Sequence, residues 1–285
     1  MKKLFKALIL IIGLLILAVI IKTITFNSMQ IETETISLPA FNEKSIEHLS
    51  EAVKYPTIST AFDSPVDSAA FEGFHRFLEE SYPLIHQNLK KEVFSSFSLL
   101  YTWEGTDPSL KPVILTAHMD VVPAGEAASW SVPPFSGKND GTFIWGRGTL
   151  DDKSSLISIM EAVEKLLEEN YKPERTVYMA FGHDEEISGI KGAGVIAGAL
   201  KERNVDAEFL IDEGYAVTIA MVPMIKKPVA LIGTSEKGYL STRLTVEMEG
   251  GHSAYPARES AIIVLNRGLN RIIDNQMKAR ISEPV

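Results

Sequence analysis

The 285-residue chain contains no cysteine. Disulfides and thiolate zinc sites are thereby excluded, and any metal must be held by His, Asp and Glu. The same absence does not fix the compartment. Basic residues are outnumbered, 28 Lys and Arg against 37 Asp and Glu, for a net charge of -9 and a pI of about 5.3. That balance argues against nucleic acid as a partner. Internal repeats and low-complexity stretches are also lacking. What is left, 45% hydrophobic and 23% charged, is an ordinary globular composition, in a chain long enough for a sizeable core and for two domains.

The longest hydrophobic run lies at the N-terminus. "MKKLFK" is basic, and Ala7 to Ile21 follow as fifteen unbroken apolar residues, closed by Lys22. A helix of that length spans only ~22 Å, less than the ~30 Å of a bilayer core. Lys6 and Lys22 can snorkel, and Ile24 and Phe26 extend the apolar surface. The main readings are an uncleaved anchor and a cleaved signal peptide, with a buried core helix as the third. No small-x-small cleavage site follows the run, which favours the anchor. Lys2, Lys3 and Lys6 precede it, so the positive-inside rule places the N-terminus in the cytoplasm and the rest of the chain outside. Secretion or release to the periplasm after signal cleavage is the alternative.

Residues 23–40 read as a polar tether. Phe71, Phe74 and Leu78 share one helical face within 64–83. "SFSLLYTW" (96–103), "PVILTA" (112–117), "TFIWG" (142–146), "RTVYMAF" (175–181), "AEFLI" (207–211) and "PVALIG" (228–233) read as strands. The clearest helix is 152–171, with Leu156, Ile159, Met160 and Val163 on its buried stripe; a second runs over 190–204. Strands alternating with helices predict an α/β domain with a mostly parallel sheet. After Gly233 the texture changes. Residues 238–250 alternate as a half-exposed strand, and 257–277 form an amphipathic helix, like the opening of a second domain.

Acids cluster where the predicted strands end. His118 and Asp120 follow "PVILTA", and Asp151 and Asp152 follow "TFIWG". Asp184, Glu185 and Glu186 follow "RTVYMAF", and Asp212 and Glu213 follow "AEFLI". Ligands of open α/β sheets bind at such ends. Each feature alone has a plain explanation: Asp151 and Asp152 favour a helix N-terminus, and three adjacent acids suit a solvated loop. Like charges at contact distance are costly, however, and four strand ends carrying them together point to a divalent cation. A carboxylate beside an imidazole, as in His118-x-Asp120, is a usual support for a ligating histidine. Of the adjacent Glu185 and Glu186, one can ligate and the other can move protons.

The motifs "TAHMDVVPAG", "WSVPPFSG", "WGRGTLDDK", "GHDEEISG", "IDEG" and "GGHSAYP", in this order, resemble the aminoacylase and carboxypeptidase S family of dinuclear zinc peptidases. Its carboxypeptidase S and N-acyl-amino-acid hydrolase branch is the nearest in look. The resemblance implies a zinc-exopeptidase-like α/β catalytic domain, here 45–234, and an inserted α/β lid beginning at 235–285. Residues 1–22 would be the anchor or signal segment and 23–44 the tether. It implies that His118 and Asp212 hold one Zn2+, Asp151 bridges two, and Glu186 holds the second. Glu185 would be the general base, Asp120 would orient His118, and His252 would stabilise an oxyanion. The substrate would be a small peptide or N-acyl amino acid, cleaved at an amide beside a free carboxylate. The lid would allow a homodimer.

Members of that family continue well past this point and supply a last histidine to the second zinc. A truncated product or partial sequence is therefore expected, with a non-catalytic metal-binding or partner-binding remnant as the alternative function. His48, His75, His86 and His183 are expected to be ordinary residues, and Asp184 receives no role.

Overall fold

The computed structural model describes residues 2–27, 43–61, 63–214, 217–235, 238, 240–252, 254 and 259–279. The chain forms two compact units, Met1–Asn42 and Glu43–Val285.

The first unit is carried by helix α1 (Lys2–Ile24). It outruns the fifteen-residue apolar core of the sequence. Leu4–Ile24, 21 residues with mean hydropathy 3.1 and none buried, is long and apolar enough to cross a membrane. At 1.5 Å per residue it reaches ~32 Å, so the shortfall computed from the apolar run alone disappears. Thr23 and Thr25 return their hydroxyls to the Val19 and Ile21 carbonyls, both at 2.8 Å, which hides their polarity along the last turn. A signal sequence passes the same test.

The second unit opens with α2 (Glu43–Ala52), α3 (Ser68–Ser81) and α4 (Pro83–Asn88). Strands β1 (Lys90–Phe94), β2 (Ser98–Trp103) and β3 (Val113–His118) follow, and then a small ribbon of β4 (Lys138–Asn139) and β5 (Ile144–Trp145). Next come α5 (Lys153–Glu168), β6 (Val177–Gly182), α6 (Ala193–Glu202) and β7 (Phe209–Ile211). A ribbon of β8 (Val217–Ile219) and β9 (Pro228–Ala230) and then α7 (Ala261–Asp274) complete the described elements.

The central sheet has the order β1-β2-β6-β3-β7. β3 runs parallel to both β6 and β7, while β2 is antiparallel to β1 and β6. Four strands thus point one way and only β2 runs back, the mostly parallel α/β sheet that the sequence predicts. Its inner strands are covered on both faces. Leu99, Tyr101, Met179 and Phe181 face a cluster with Phe71, Phe74 and Leu78 of α3 and Leu156 and Met160 of α5. The alternate residues Leu100 and Ala180 face Ile196 and Leu200 of α6. This is the period-two alternation of a sheet buried on both sides.

Several readings shift. Asp67 caps α3, accepting the Ala70 N–H at 3.2 Å, and the predicted face of Phe71, Phe74 and Leu78 is fully buried. "TFIWG" is not a strand of the central sheet: β5 pairs only with β4, because the glycines at 141, 146 and 148, all at positive φ, turn the chain away. The strand expected over 238–250 does not form among the described residues there; an alternating segment needs a neighbour to pair with. The helix expected over 257–277 forms as α7, capped by Ser260, with no buried residue. α2 and α4 are helices that the sequence reading did not pick out.

Candidate metal centre

Because β3, β6 and β7 are parallel, their carboxyl ends share one edge of the sheet. β3 ends in His118, β6 leads into His183–Glu186, and β7 leads into Asp212 and Glu213. The N-terminus of α5, preceded by Asp151 and Asp152 through a cis peptide, comes to the same edge. Three separate strand ends and one helix start therefore supply the acids.

His118 is the hub, its side chain only 3% exposed. Its Nδ1 lies 2.9 Å from the Asp120 carbonyl and 3.3 Å from the Asp120 carboxylate. With Nδ1–H donating there, Nε2 faces outward: 3.0 Å from Asp151 Oδ1, 3.3 Å from Glu213 Oε1 and 3.7 Å from Glu185 Oε2. Burial opposes a positive charge on this imidazole. The carboxylates of Asp120 and Glu213 nevertheless prevail and push its pKa up to about 12. A ring surrounded by acids in this way holds a proton where a metal cation would otherwise balance the charge.

The acids are strained in the opposite sense. Burial lifts Glu185 to about 7, opposed by His118 and assisted by Glu213, Glu186 and Asp120. Glu186 is raised by burial and then by Asp151. Asp152, buried, is raised to about 6, chiefly by desolvation; its Oδ2 accepts the His118 N–H at 3.2 Å and its Oδ1 has no partner.

Asp120, with no exposed surface, does more than face His118. Its two carboxylate oxygens accept the backbone N–H groups of Glu185 at 3.0 Å and Glu186 at 3.2 Å. One buried acid thus fixes both the ring and the short 3-10 turn Glu185–Ile187. The Glu186 side chain accepts the Val122 N–H at 3.2 Å. Lys153 anchors the start of α5: fully buried, it donates to the Ala52 and Tyr55 carbonyls at 2.9 and 2.6 Å and lies over the Phe74 ring. Burial lowers its pKa to about 7.

The ligand atoms of His118, Asp151 and Glu213 lie within 4.8 Å of one another. One imidazole nitrogen and two carboxylate oxygens fit a zinc site with three protein ligands. His118, Asp120, Asp151 and Glu185 come together at this edge, and the carboxylate 3.3 Å from His118 Nε2 is that of Glu213, the neighbour of Asp212. Both residues follow β7, with Glu213 in a bend, and Asp212 Oδ1 accepts the Glu213 N–H at 2.9 Å. Glu186 and His252 are not in the three-residue group among the described residues; His252 is exposed, and its Nδ1 accepts the Ala254 N–H at 3.2 Å.

The remaining histidines are engaged elsewhere. His48 bonds Glu161, His75 the Phe97 carbonyl, His86 the Tyr101 hydroxyl, and His183 the Ser98 hydroxyl.

The chain is similar in sequence to known proteins. Carboxypeptidase S-like 2 (probable) of Dictyostelium discoideum is 40% identical over 96% of this chain and 55% of that protein. Mouse N-fatty-acyl-amino acid synthase/hydrolase PM20D1 is 42% identical over 81% of this chain and 46% of that protein. Carboxypeptidase S of Saccharomyces cerevisiae is 41% identical over 79% and 40%. The chain spans about half the length of the curated relatives it matches. The model of peptidase family M20/M25/M40 matches residues 114–283, which include every acid gathered at the sheet edge, and the chain belongs to that family.

Proposed function

We propose that this chain carries the core of a zinc-dependent hydrolase that cleaves an amide bond next to a free carboxylate, in a peptide or an N-acyl amino acid. The observation that carries the reading is the convergence of Asp151, Glu185 and Glu213 on the Nε2 side of one buried imidazole. His118 and Asp151 would hold the metal with a carboxylate from the Asp212–Glu213 pair, and Glu186 would hold a second ion shared through Asp151. Bound zinc would supply Lewis-acid activation of the scissile carbonyl.

The chain's own residues account for the proton movements. Glu185, with a pKa lifted to about 7, is poised to accept a proton from water near neutral pH. As the water oxygen bonds to the carbonyl carbon, the proton passes to a Glu185 carboxylate oxygen and then to the departing nitrogen. The C–N bond breaks, leaving an amine and a carboxylic acid whose proton is lost to solvent. Asp120 holds His118 by the ring edge and Glu185 by its amide, so ligand and base keep a common reference. His252 would steady the oxyanion, which requires a different placement of the lid segment from the exposed one described above. α1 would anchor the protein with residue 43 onward on the non-cytoplasmic side, and the lid would pair two chains.

A second reading rests on a specific observation. Only His118, Asp151 and Glu213 form a metal-sized group among the described residues, which suits a binding module with one ion and no turnover. Hydrolysis assays on the zinc-loaded full chain separate the two. The first reading predicts cleavage of N-acyl amino acids, none of their carboxyl-amidated counterparts, and loss in Glu185→Gln. Zinc binding without hydrolysis of either substrate favours the second.

A further inference from the structure

We propose that Asp184 is a positioning residue that sets where Glu185 and Glu186 point; the proposal rests on the metal-centre reading above. Asp184 directly precedes the two acids and is 1% exposed. None of the chemistry above uses it. Its neighbours are nevertheless closely arranged. Its main-chain carbonyl accepts the N–H groups of Ile187 at 3.2 Å and Gly189 at 2.7 Å. The chain reverses at Ser188 and Gly189, with φ of 97° and 65°, and brings the Lys191 N–H back to the Asp184 carboxylate at 2.7 Å. The nine-residue loop 184–192 is thus tied at both ends to one residue.

The second carboxylate oxygen of Asp184 is buried without a hydrogen-bond partner. It lies against Gly192, where a Cβ would stand 2.4 Å from that oxygen and 2.7 Å from Ser98 Oγ. Glycine at the head of α6 is what lets the carboxylate fit. A buried, half-satisfied carboxylate is a poor choice for stability alone, since an apolar residue of similar size avoids the desolvation cost. What it supplies is direction. The Asp184 carboxylate ties the Lys191 N–H near the loop's end, while Asp120 takes the amides of Glu185 and Glu186. The turn Glu185–Ile187 is thus bonded to two buried acids. Removing Asp120 alters the ring of His118 as well. Removing Asp184 leaves the bonds from Asp120 to His118 in place, and so tests the placement of the two glutamates apart from that ring.

The test compares the full chain in detergent with its Asp184→Ala and Asp184→Asn variants. Two readouts are taken: amide hydrogen exchange over 183–192 in the metal-free proteins, and zinc affinity by competition with a chromophoric chelator. The proposal predicts at least tenfold faster exchange at Glu185 and Glu186 in Asp184→Ala. It predicts zinc affinity ~10–100-fold weaker, the range for residues that support metal ligands from behind. Asn keeps an oxygen for the Lys191 N–H, so it should recover part of both. Exchange and affinity within twofold of the parent in Asp184→Ala overturn the proposal. If that variant fails to fold, Asp184→Asn decides alone: parental values for both overturn it. If the parent chain takes up no zinc, the metal-centre reading fails, and the exchange data still uphold or overturn the role of Asp184 in holding the loop.

Discussion

Two groups of acids in the same unit behave in opposite ways. Glu161 and Glu164 on α5 end on donors. Glu161 takes Ser45 at 2.8 Å, Tyr82 at 2.9 Å and His48 at 2.5 Å; Glu164 takes the N–H groups of Leu84 and Ile85, both at 2.9 Å. These bonds tie α5 to α2 and α4, and every oxygen of the pair is partnered. At the edge of the sheet, Asp151, Glu185 and Glu213 end instead on one shared imidazole and on each other's fields. A structural acid is surrounded by N–H and O–H groups. An acid that awaits a cation is surrounded by further acids; Glu185 shows it, its pKa lifted first by burial and then by Glu213, Glu186 and Asp120.

The largest effect that would break this contrast is in turnover. Glu185→Gln should lower amide hydrolysis by ~10²–10⁴-fold, the usual worth of a general base, while zinc affinity stays near that of the parent; steady-state kinetics beside a zinc titration check both. The next is in stability. Glu161→Ala leaves three donors of α2 and the α3–α4 junction unmatched and should cost about 1–3 kcal/mol in urea unfolding, with zinc affinity unchanged. An effect of the same size from Glu185→Gln would erase the distinction between the groups.

The smallest effect is pH-dependent. The folded pKa values of Glu185, about 7, and Asp152, about 6, lie above their ordinary values. At these two acids the folded state therefore holds more protons than the unfolded one between pH ~4 and 7, and their contribution to stability is lost as pH rises through that window, opposed by His75 and His183, whose pKa values burial lowers. The metal-free chain should melt at a lower temperature at pH 7 than at pH 5, and added zinc should remove most of the difference. A thermal midpoint that rises from pH 5 to 7 without zinc contradicts the strained state of these acids.

Much of this was legible in the sequence because the sheet converts order along the chain into proximity. His118 and Glu185 each follow a segment whose apolar character marks it as buried, and parallel strands bring such ends to one edge; Asp151 follows an exposed ribbon strand and reaches that edge at the start of α5. The buried face of α3 was readable from Phe71, Phe74 and Leu78 for a similar local reason. Glu213 was not distinguished from Asp212, because both sit at the end of β7 and only the direction of one side chain separates them. The clamp of Asp120 on two backbone amides was also hidden, since such bonds join residues 65 and 66 positions apart. α2 was missed because its burial depends on α5, over a hundred residues away, through contacts such as Ser45 with Glu161. The strand expected over 238–250 failed because alternation shows which faces differ and not whether a partner strand is at hand.

The central claim is that the sheet-edge acids are arranged around a divalent cation and the helix acids are not. The most direct test is isothermal titration of zinc into the full chain, into His118→Ala and into Glu161→Ala, all in the same detergent. The account predicts binding by the parent and by Glu161→Ala with equal affinity, and a loss of more than ~100-fold in His118→Ala, beyond the effect of a merely supporting residue. Equal binding by all three proteins, or loss in Glu161→Ala with binding kept in His118→Ala, would contradict it.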